Sequence, residues 1–381
     1  MALEKNRLKG FWKDRPATER EGDRAGPVGT ALGLGLPPRL FRRQIGRAQR
    51  SASSRRSNVG IRSTLLIAAA LFAGVPAAAQ DTLRFEPTVG YATVAVREPV
   101  ATIQPGTVLV SRTNHGAYYD VGGGEFPGEV GPFFIEGATT NDILVIEVIR
   151  VQPNHDLAGA QIYPDFGGLA TDSRLRLLND PIEGRRYEWR LDTDEMTGTV
   201  DLPDSDMSEI TIALRPMLGR VSVAPADGEA FTGLWPGNYG GNMDSPDVRE
   251  GTTVYLPIFN DGAYFYFGDG HARQGEGEVN GTGLETSMDV TLRIDLIKNK
   301  TIAWPRFEDD THIMVAGSAR PLIDAFRLAH VELIEWLVAD YGFGKWDAYM
   351  LVGQLGESTV ANIVDPIYTV VAKFPKMYLP R

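Results

Sequence analysis

The run from Ala263 to Glu285 reads AYFYFGDGHARQGEGEVNGTGLE, and its chemistry changes partway along. Tyr264 to Phe267 is an aromatic run, and aromatic residues favour strands. Beyond it, Asp269, His271, Glu276 and Glu278 fall among Gly268, Gly270, Gly275 and Gly277. Glycine lets the backbone turn sharply or approach a ligand closely. The pattern predicts a strand that delivers a compact loop carrying one imidazole and three carboxylates. Such a set can bind a divalent cation or move protons. The same spacing also fits a solvated hairpin loop whose acids face water. A phosphate-cradling loop would need Gly-Lys-Ser/Thr or a helix opening at the last glycine, and neither is present. A calcium-binding β-roll would need tandem copies, and there is one.

Working outward, Met288, Val290, Leu292, Ile294 and Leu296 are apolar, with Asp289, Thr291, Arg293 and Asp295 between them. This alternation predicts a half-buried strand. Upstream, Thr253 to Ile258 reads as a strand. Phe231 to Asp244 reads as a glycine-rich loop ending in a second polar cluster, Asn242 and Asp244. Ile210 to Leu214 and Arg220 to Val223 read as strands around a turn at Arg215 to Gly219. The segment Leu157 to Asp206 reads as a loop-rich insertion with a short hairpin at Tyr187 to Leu191. Ile135 to Gly137 and the turn Thr139-Thr140-Asn141-Asp142 are expected to frame a hairpin with the strand Ile143 to Val151. The short runs from Leu83 to Val110 suggest a β-meander. Asn114-His115-Gly116 and Asp120 follow, and His115 is a candidate second imidazole.

Downstream the period becomes helical. Leu322, Phe326, Ala329, Leu333 and Leu337 recur at three- and four-residue steps, with Pro321 suited to the start and Gly342 to the stop. A second helix over about Trp346 to Leu355 makes a helical hairpin, and Ile367 to Ala372 returns as a β-run. The expected fold class is α+β and β-rich: a sandwich- or barrel-like body with a C-terminal helical hairpin.

Composition bounds the function. The chain has 381 residues, 43% hydrophobic, which is ample for a core. Its net charge of −11 argues against a nucleic-acid partner. It has no cysteine, which removes disulfides, thiolate ligands, a cysteine nucleophile and a lipidated N-terminal cysteine. Only five histidines exist, so imidazole chemistry draws on a short list.

Residues 1–58 are rich in Arg, Gly and Pro with no sustained apolar period, and are expected to be a disordered basic arm. Arg55, Arg56 and Arg62, the apolar run Leu65 to Val75 and the closing Ala77-Ala78-Ala79-Gln80 give residues 59–79 the pattern of a secretory signal peptide. The run is too short for a comfortable membrane span. Because a signal peptide works at a chain start, the true start is expected near Val59, with the upstream arm a gene-model artefact. Residues 80–381 would then form the mature domain, periplasmic or secreted, with no stable membrane span after cleavage.

Several separated blocks together resemble the acetamidase/formamidase family. Gly131-Pro132 through Glu136-Gly137-Ala138, with Asp142, is similar to its Gly-Pro-x-x-x-Glu-Gly-Ala…Gly-Asp block, with Asn141 where glycine is usual. Gly219 and Val221 to Pro225 are similar to the block around Gly-Val-Ala-Pro. Gly240-Gly241-Asn242-Met243-Asp244 matches Gly-Gly-Asn-Met-Asp. Gly268-Asp269-Gly270-His271-Ala272 and Gln274 to Glu278 match Gly-Asp-x-His-Ala-x-x-Gly-Asp-Gly-Glu, with Glu276 in place of aspartate. Val364-Asp365-Pro366 and Phe374-Pro375-Lys376 resemble the C-terminal block. Tyr239 departs from the pattern, since a histidine often stands there.

The resemblance implies a β-rich α+β fold, a divalent metal at the site, a homo-oligomer and hydrolysis of short linear amides such as formamide or acetamide. An amide needs an activated water, oxyanion stabilisation and a proton for the departing nitrogen. Without cysteine or a Ser-Ser-Lys signature, a metal-activated water is the economical route. The expected ion is zinc, with calcium as the alternative. Expected metal ligands are His271 and Asp244, with Asp269 and His115 behind them. Glu278 is the expected general base and acid, with Glu276 behind it, and Asn242 the expected donor to the substrate carbonyl. The competing class is a secreted β-rich binding module braced by calcium, without catalysis.

Overall fold

The computed structural model describes residues 81–113, 128–169 and 182–380. The basic arm, the signal segment and the loop carrying Asn114, His115 and Asp120 lie outside the described residues. The alternating segment forms the strand Met288–Ile297, its apolar residues buried at alternate positions. It pairs antiparallel with Ile143–Pro153 on one side and Thr107–Arg112 on the other. These three are part of a nine-stranded sheet that continues through Thr253–Pro257, Arg306–Glu308, His312–Ala319, Tyr368–Pro375 and Glu357–Asn362.

A six-stranded sheet is centred on Met217–Ser222 and Phe265–His271, flanked by Gly240–Asn242 and Val130–Ile135. Leu144, Ile146, Val254 and Leu292 of the large sheet share one core with Phe133, Val221, Phe265 and Phe267 of the smaller. The result is sandwich-like, as expected; no sheet among the described residues closes into a barrel. Phe133, Phe265 and Phe267 carry much of this core: the Phe133 and Phe267 rings stack at 6.2 Å, and Phe265 and Phe267 at 5.9 Å.

The expected helical hairpin is present. Helix α1, Leu322–Tyr341, has Pro321 as its N-cap and ends on Gly342 in the left-handed conformation. Helix α2, Lys345–Leu355, follows directly. Leu333, Trp336 and Leu337 of α1 pack with Ile313, Val315 and Phe374 in a second core. Gly317 permits the close approach, because a Cβ there would lie 2.6 Å from the backbone of α1 at Ala325 and Ala329.

Three expectations of local pairing are corrected. Thr82–Arg84 and Ala101–Ile103 pair in parallel with Thr107–Arg112 and Val130–Ile135, in different sheets, so the N-terminal part is not a meander. The Thr139 to Asp142 turn does not close a hairpin. It hands the chain from the six-stranded sheet to the nine-stranded one, held by Asp142, which accepts from the Thr139 backbone and hydroxyl and from Lys298. The insertion Leu157 to Asp206 carries more strand than expected among its described residues. Leu157–Ile162, Arg185–Asp192, Thr197–Asp201 and Glu209–Ala213 make a four-stranded antiparallel sheet. Its strands are short and half-exposed, which weakens the apolar period that marks a strand in sequence.

Candidate active site

Met217–Ser222 lies between the two stretches singled out in the sequence. It pairs with Gly240–Asn242 on one edge and with Phe265–His271 on the other. Asp269 and His271 therefore sit on a strand, where a loop was expected. Asp244 follows the first stretch directly, and the two stretches meet across Gly219. A Cβ at Gly219 would fall 2.4 Å from Asp244 Oδ1 and 2.4 Å from Asp269 Oδ2. Only a residue without a side chain lets the two carboxyls approach there.

The backbone that presents the acids is strained. Asp244, Asp269 and Glu278 have φ of +43°, +56° and +49°. Left-handed backbone is uncommon outside glycine and persists where surrounding structure enforces it. One ligand-type atom each from Asp244, His271 and Glu278 lies within 4.8 Å of the others, and the same holds for Asp269, His271 and Glu285. All five residues are buried. Asp269, His271, Glu278 and Glu285 border a cavity of about 10 Å³ that Arg220, Asn242 and Asp365 also line. That volume admits roughly one water-sized group.

Hydrogen bonds fix each side chain. Gln274 donates to the carbonyls of Asp244 (2.6 Å) and Ala361 (3.1 Å), so its Oε1 faces His271 Nδ1 at 2.8 Å and accepts from it. That leaves Nε2 pointing at Glu285 (3.1 Å) and Asp269 (3.4 Å). Fixing one ring nitrogen so that the other faces a cavity is the arrangement metal-binding histidines use. Arg220 donates from Nε to Asn242 Oδ1 (2.6 Å) and from a terminal nitrogen to Glu129 (3.0 Å), and faces Asp269 at 3.6 Å. The Asn242 amide must therefore turn its nitrogen to Asp244 (2.6 Å) and Asp365 (2.7 Å). Asn362 donates to the same two carboxyls at 2.7 and 2.5 Å.

Charge does not balance inside this cluster. The carboxyls of Glu129, Asp244, Asp269, Glu278, Glu285 and Asp365 are buried around one arginine, Arg220, and one imidazole, His271. Burial raises the proton affinity of Glu278 and Asp244 well above the carboxylate range; Glu285, Asp365 and Asp269 raise that of Glu278 further, and Glu278, Asp365 and Asp269 that of Asp244. Burial likewise lifts Asp365 and Glu129 to about 7. Asp269 goes the other way: burial opposes ionisation, but Arg220 and His271 outweigh it. Burial lowers the basicity of His271, but Glu285 and Asp269 more than reverse the effect. Asp244 Oδ1 and Glu285 Oε2 are buried without any hydrogen-bond partner. A surplus of buried acid, two orphaned oxygens and an oriented imidazole nitrogen fit a divalent cation, which would supply the missing positive charge.

His271, Asp244, Asp269, Glu278 and Asn242 thus come together, while His115 lies outside the described residues. Glu276 does not join them. It is exposed, with Lys373 and Asp247 as its charged neighbours. Asn242 takes a different task from the one expected, since both its amide hydrogens already go to Asp244 and Asp365. Glu136 is exposed and paired with Gln104. Sequence reasoning gave no role to Arg220, Gln274, Glu285, Asn362 or Asp365. Glu285 closes the opening stretch and returns to His271 through a β-bridge, which its spacing does not announce. Gln274 and Asp365 stand inside recognised blocks, the one available signal.

The family model of the Acetamidase/Formamidase family matches residues 187–377. An acetamidase of Mycolicibacterium smegmatis is 23% identical over 215 residues, 44% of this chain and 53% of that protein. The chain spans about half the length of the curated relatives it matches. The crystal structure of an acetamidase from Yersinia enterocolitica superposes with a TM-score of 0.71 at 34% identity, covering 81% of this chain and 96% of that one. An acetamidase from Bacillus halodurans gives 0.67 at 27%, covering 78% and 98%. The family model covers the whole of the acidic cluster except Glu129, and the Yersinia structure nearly its full length, so this chain belongs to the acetamidase/formamidase family.

Proposed function

We propose that this protein hydrolyses a short linear amide, of the formamide or acetamide kind, to a carboxylate and ammonia. The observation that carries the reading is the buried convergence of Asp244, His271 and Glu278, whose ligand-type atoms lie within 4.8 Å of one another beside one small cavity. His271 Nε2, Asp244 Oδ1 and Asp269 would hold a divalent ion, with the unpartnered Glu285 oxygen beside them. The imidazole in this set favours zinc over calcium, which prefers an all-oxygen shell. Such an ion, when bound, supplies Lewis acidity to the amide carbonyl and lowers the pKa of water.

The chain's own groups do the rest. Glu278 is buried among acids, which raises its proton affinity, and from there it can take a proton from the attacking water and pass it to the departing nitrogen. Arg220 orients the Asn242 amide, and Asn242 with Asn362 locks Asp244 and Asp365 from the far side. Gln274 keeps Nε2 of His271 toward the cavity. The calcium-braced binding module calls for groups that splay toward solvent, and burial of the whole set weighs against it. The signal-like segment ending at Ala79 supports export, and N-terminal sequencing of the exported protein should give a chain starting at Gln80.

Ammonia release from formamide and acetamide, with and without a chelator, tests the proposal. The expected result is release that chelation abolishes and zinc restores. No ammonia from any short amide after zinc loading would overturn it.

A further inference from the structure

The four-stranded sheet and the loop 273–284 border a second, larger cavity of about 380 Å³ that opens to solvent. Small-molecule sites run from roughly 300 to 1,000 Å³. Alternate residues of the sheet, Tyr187 and Trp189 on one strand, Val200 on the next and Ile212 on the one beyond it, supply an apolar wall with two rings. A flat ring suits such a wall. The lining holds one charged residue, Arg273, and no carboxylate, in a chain of net charge −11. Arg273 spends one N–H on the Ala213 carbonyl at 2.8 Å; a guanidinium has five and matches a carboxylate in a fork.

The back of this cavity is the support of the imidazole. Gln274, which accepts from His271 Nδ1, lines it, as does Gly283. A Cβ at Gly283 would lie 2.5 Å from Nδ1. His271 thus looks into the reaction cavity with Nε2 and backs onto the larger one through Nδ1.

We infer that this larger cavity is a binding site for a small aromatic carboxylate, its ring against Tyr187 and Trp189 and its anionic end at Arg273. The site stands on its own lining, whether or not the smaller cavity hydrolyses amides. Its occupant touches the groups that fix His271, so occupancy of one cavity and of the other are linked.

Calorimetric titration of the full chain with phenylacetate, beside neutral phenylacetamide, tests this. Phenylacetate is expected to bind one-to-one with Kd below about 1 mM. Phenylacetamide binding, and phenylacetate binding to Arg273→Ala, are expected to be about tenfold weaker, the loss of a charge-assisted pair. Ile212→Trp, which fills the cavity, is expected to remove binding. Hydrogen exchange of the wild type, which needs no variant, should show phenylacetate slowing exchange in residues 273–284 and 185–192. Absence of binding, equal affinity for Arg273→Ala, or protection confined to other segments would each overturn the inference.

Discussion

The strand Phe265–His271 has two halves that are equally buried and opposite in kind. Phe265, Tyr266 and Phe267 are wholly inaccessible; Phe265 and Phe267 pack on Phe133 of the adjacent strand, and Tyr266 donates its hydroxyl to the Ala95 carbonyl. Their burial is ordinary hydrophobic stabilisation. Two residues on, Asp269 has left-handed backbone and His271 sits among buried acids. The positive φ of Asp269 costs free energy, and the ion pairs of Asp269 and His271 must first offset the desolvation that burial imposes on both charges. The first half anchors the strand so firmly that the second can be held in an arrangement it would not choose, and this is why the polar half reads as a reaction centre.

The sharpest way to separate the aromatic half from the reaction centre that the polar half helps build is to change one residue of each. Glu278→Gln should lower amide hydrolysis about a thousandfold, the scale of lost proton transfer, with no loss of thermal stability. Unchanged turnover would remove Glu278 from the reaction. Phe267→Ala should behave in reverse, costing about 3–5 kcal/mol of stability in chemical denaturation. A cost near zero would mean that the aromatic half does not anchor the strand.

A smaller effect is expected away from the strand, at Asp142, where Lys298, Thr139 and the Asn299 N–H hold the carboxylate. Burial opposes the charge there, yet these donors bring the pKa below the ordinary range. A depressed folded-state pKa contributes stability that is complete above the unfolded value and is lost as pH falls toward the folded one. Asp142→Asn should therefore cost about 1–3 kcal/mol at neutral pH, and the gap to wild type should shrink below about pH 4. A gap that stays constant with pH would show that the charge contributes nothing. The smallest effect belongs to Glu276→Gln, expected within about 0.5 kcal/mol in stability and near wild type in turnover. A large fall in rate would bring Glu276 back into the mechanism.

Sequence reading reached the elements whose period is clean: the strand Met288–Ile297, the two helices and the aromatic half of the central strand. It also paired the right two glycine-rich stretches, because acids and an imidazole among glycines have few purely structural uses. It failed where strands change sheets, since Thr139 to Asp142 looks the same whether it closes a hairpin or turns a sandwich corner. It failed on the four-stranded sheet because half-exposed strands carry little apolar contrast. Arg220 lies in a plain apolar strand and Asn362 at the end of another, so their meeting with Asn242 and Asp365 is a product of topology that no local spacing encodes. Glu276 misled because it shares its motif with Glu278, and two residues of offset in a tight turn are enough to leave it exposed.

The account rests on the polar half of the central strand and the Asn242 to Asp244 turn closing around one cation. Anomalous diffraction at the zinc edge, from crystals of the zinc-loaded protein, tests that most directly. One peak within bonding distance of both His271 Nε2 and Asp244 Oδ1 is predicted. A protein that takes up zinc only at surface sites, leaving those two atoms without a peak between them, would contradict it.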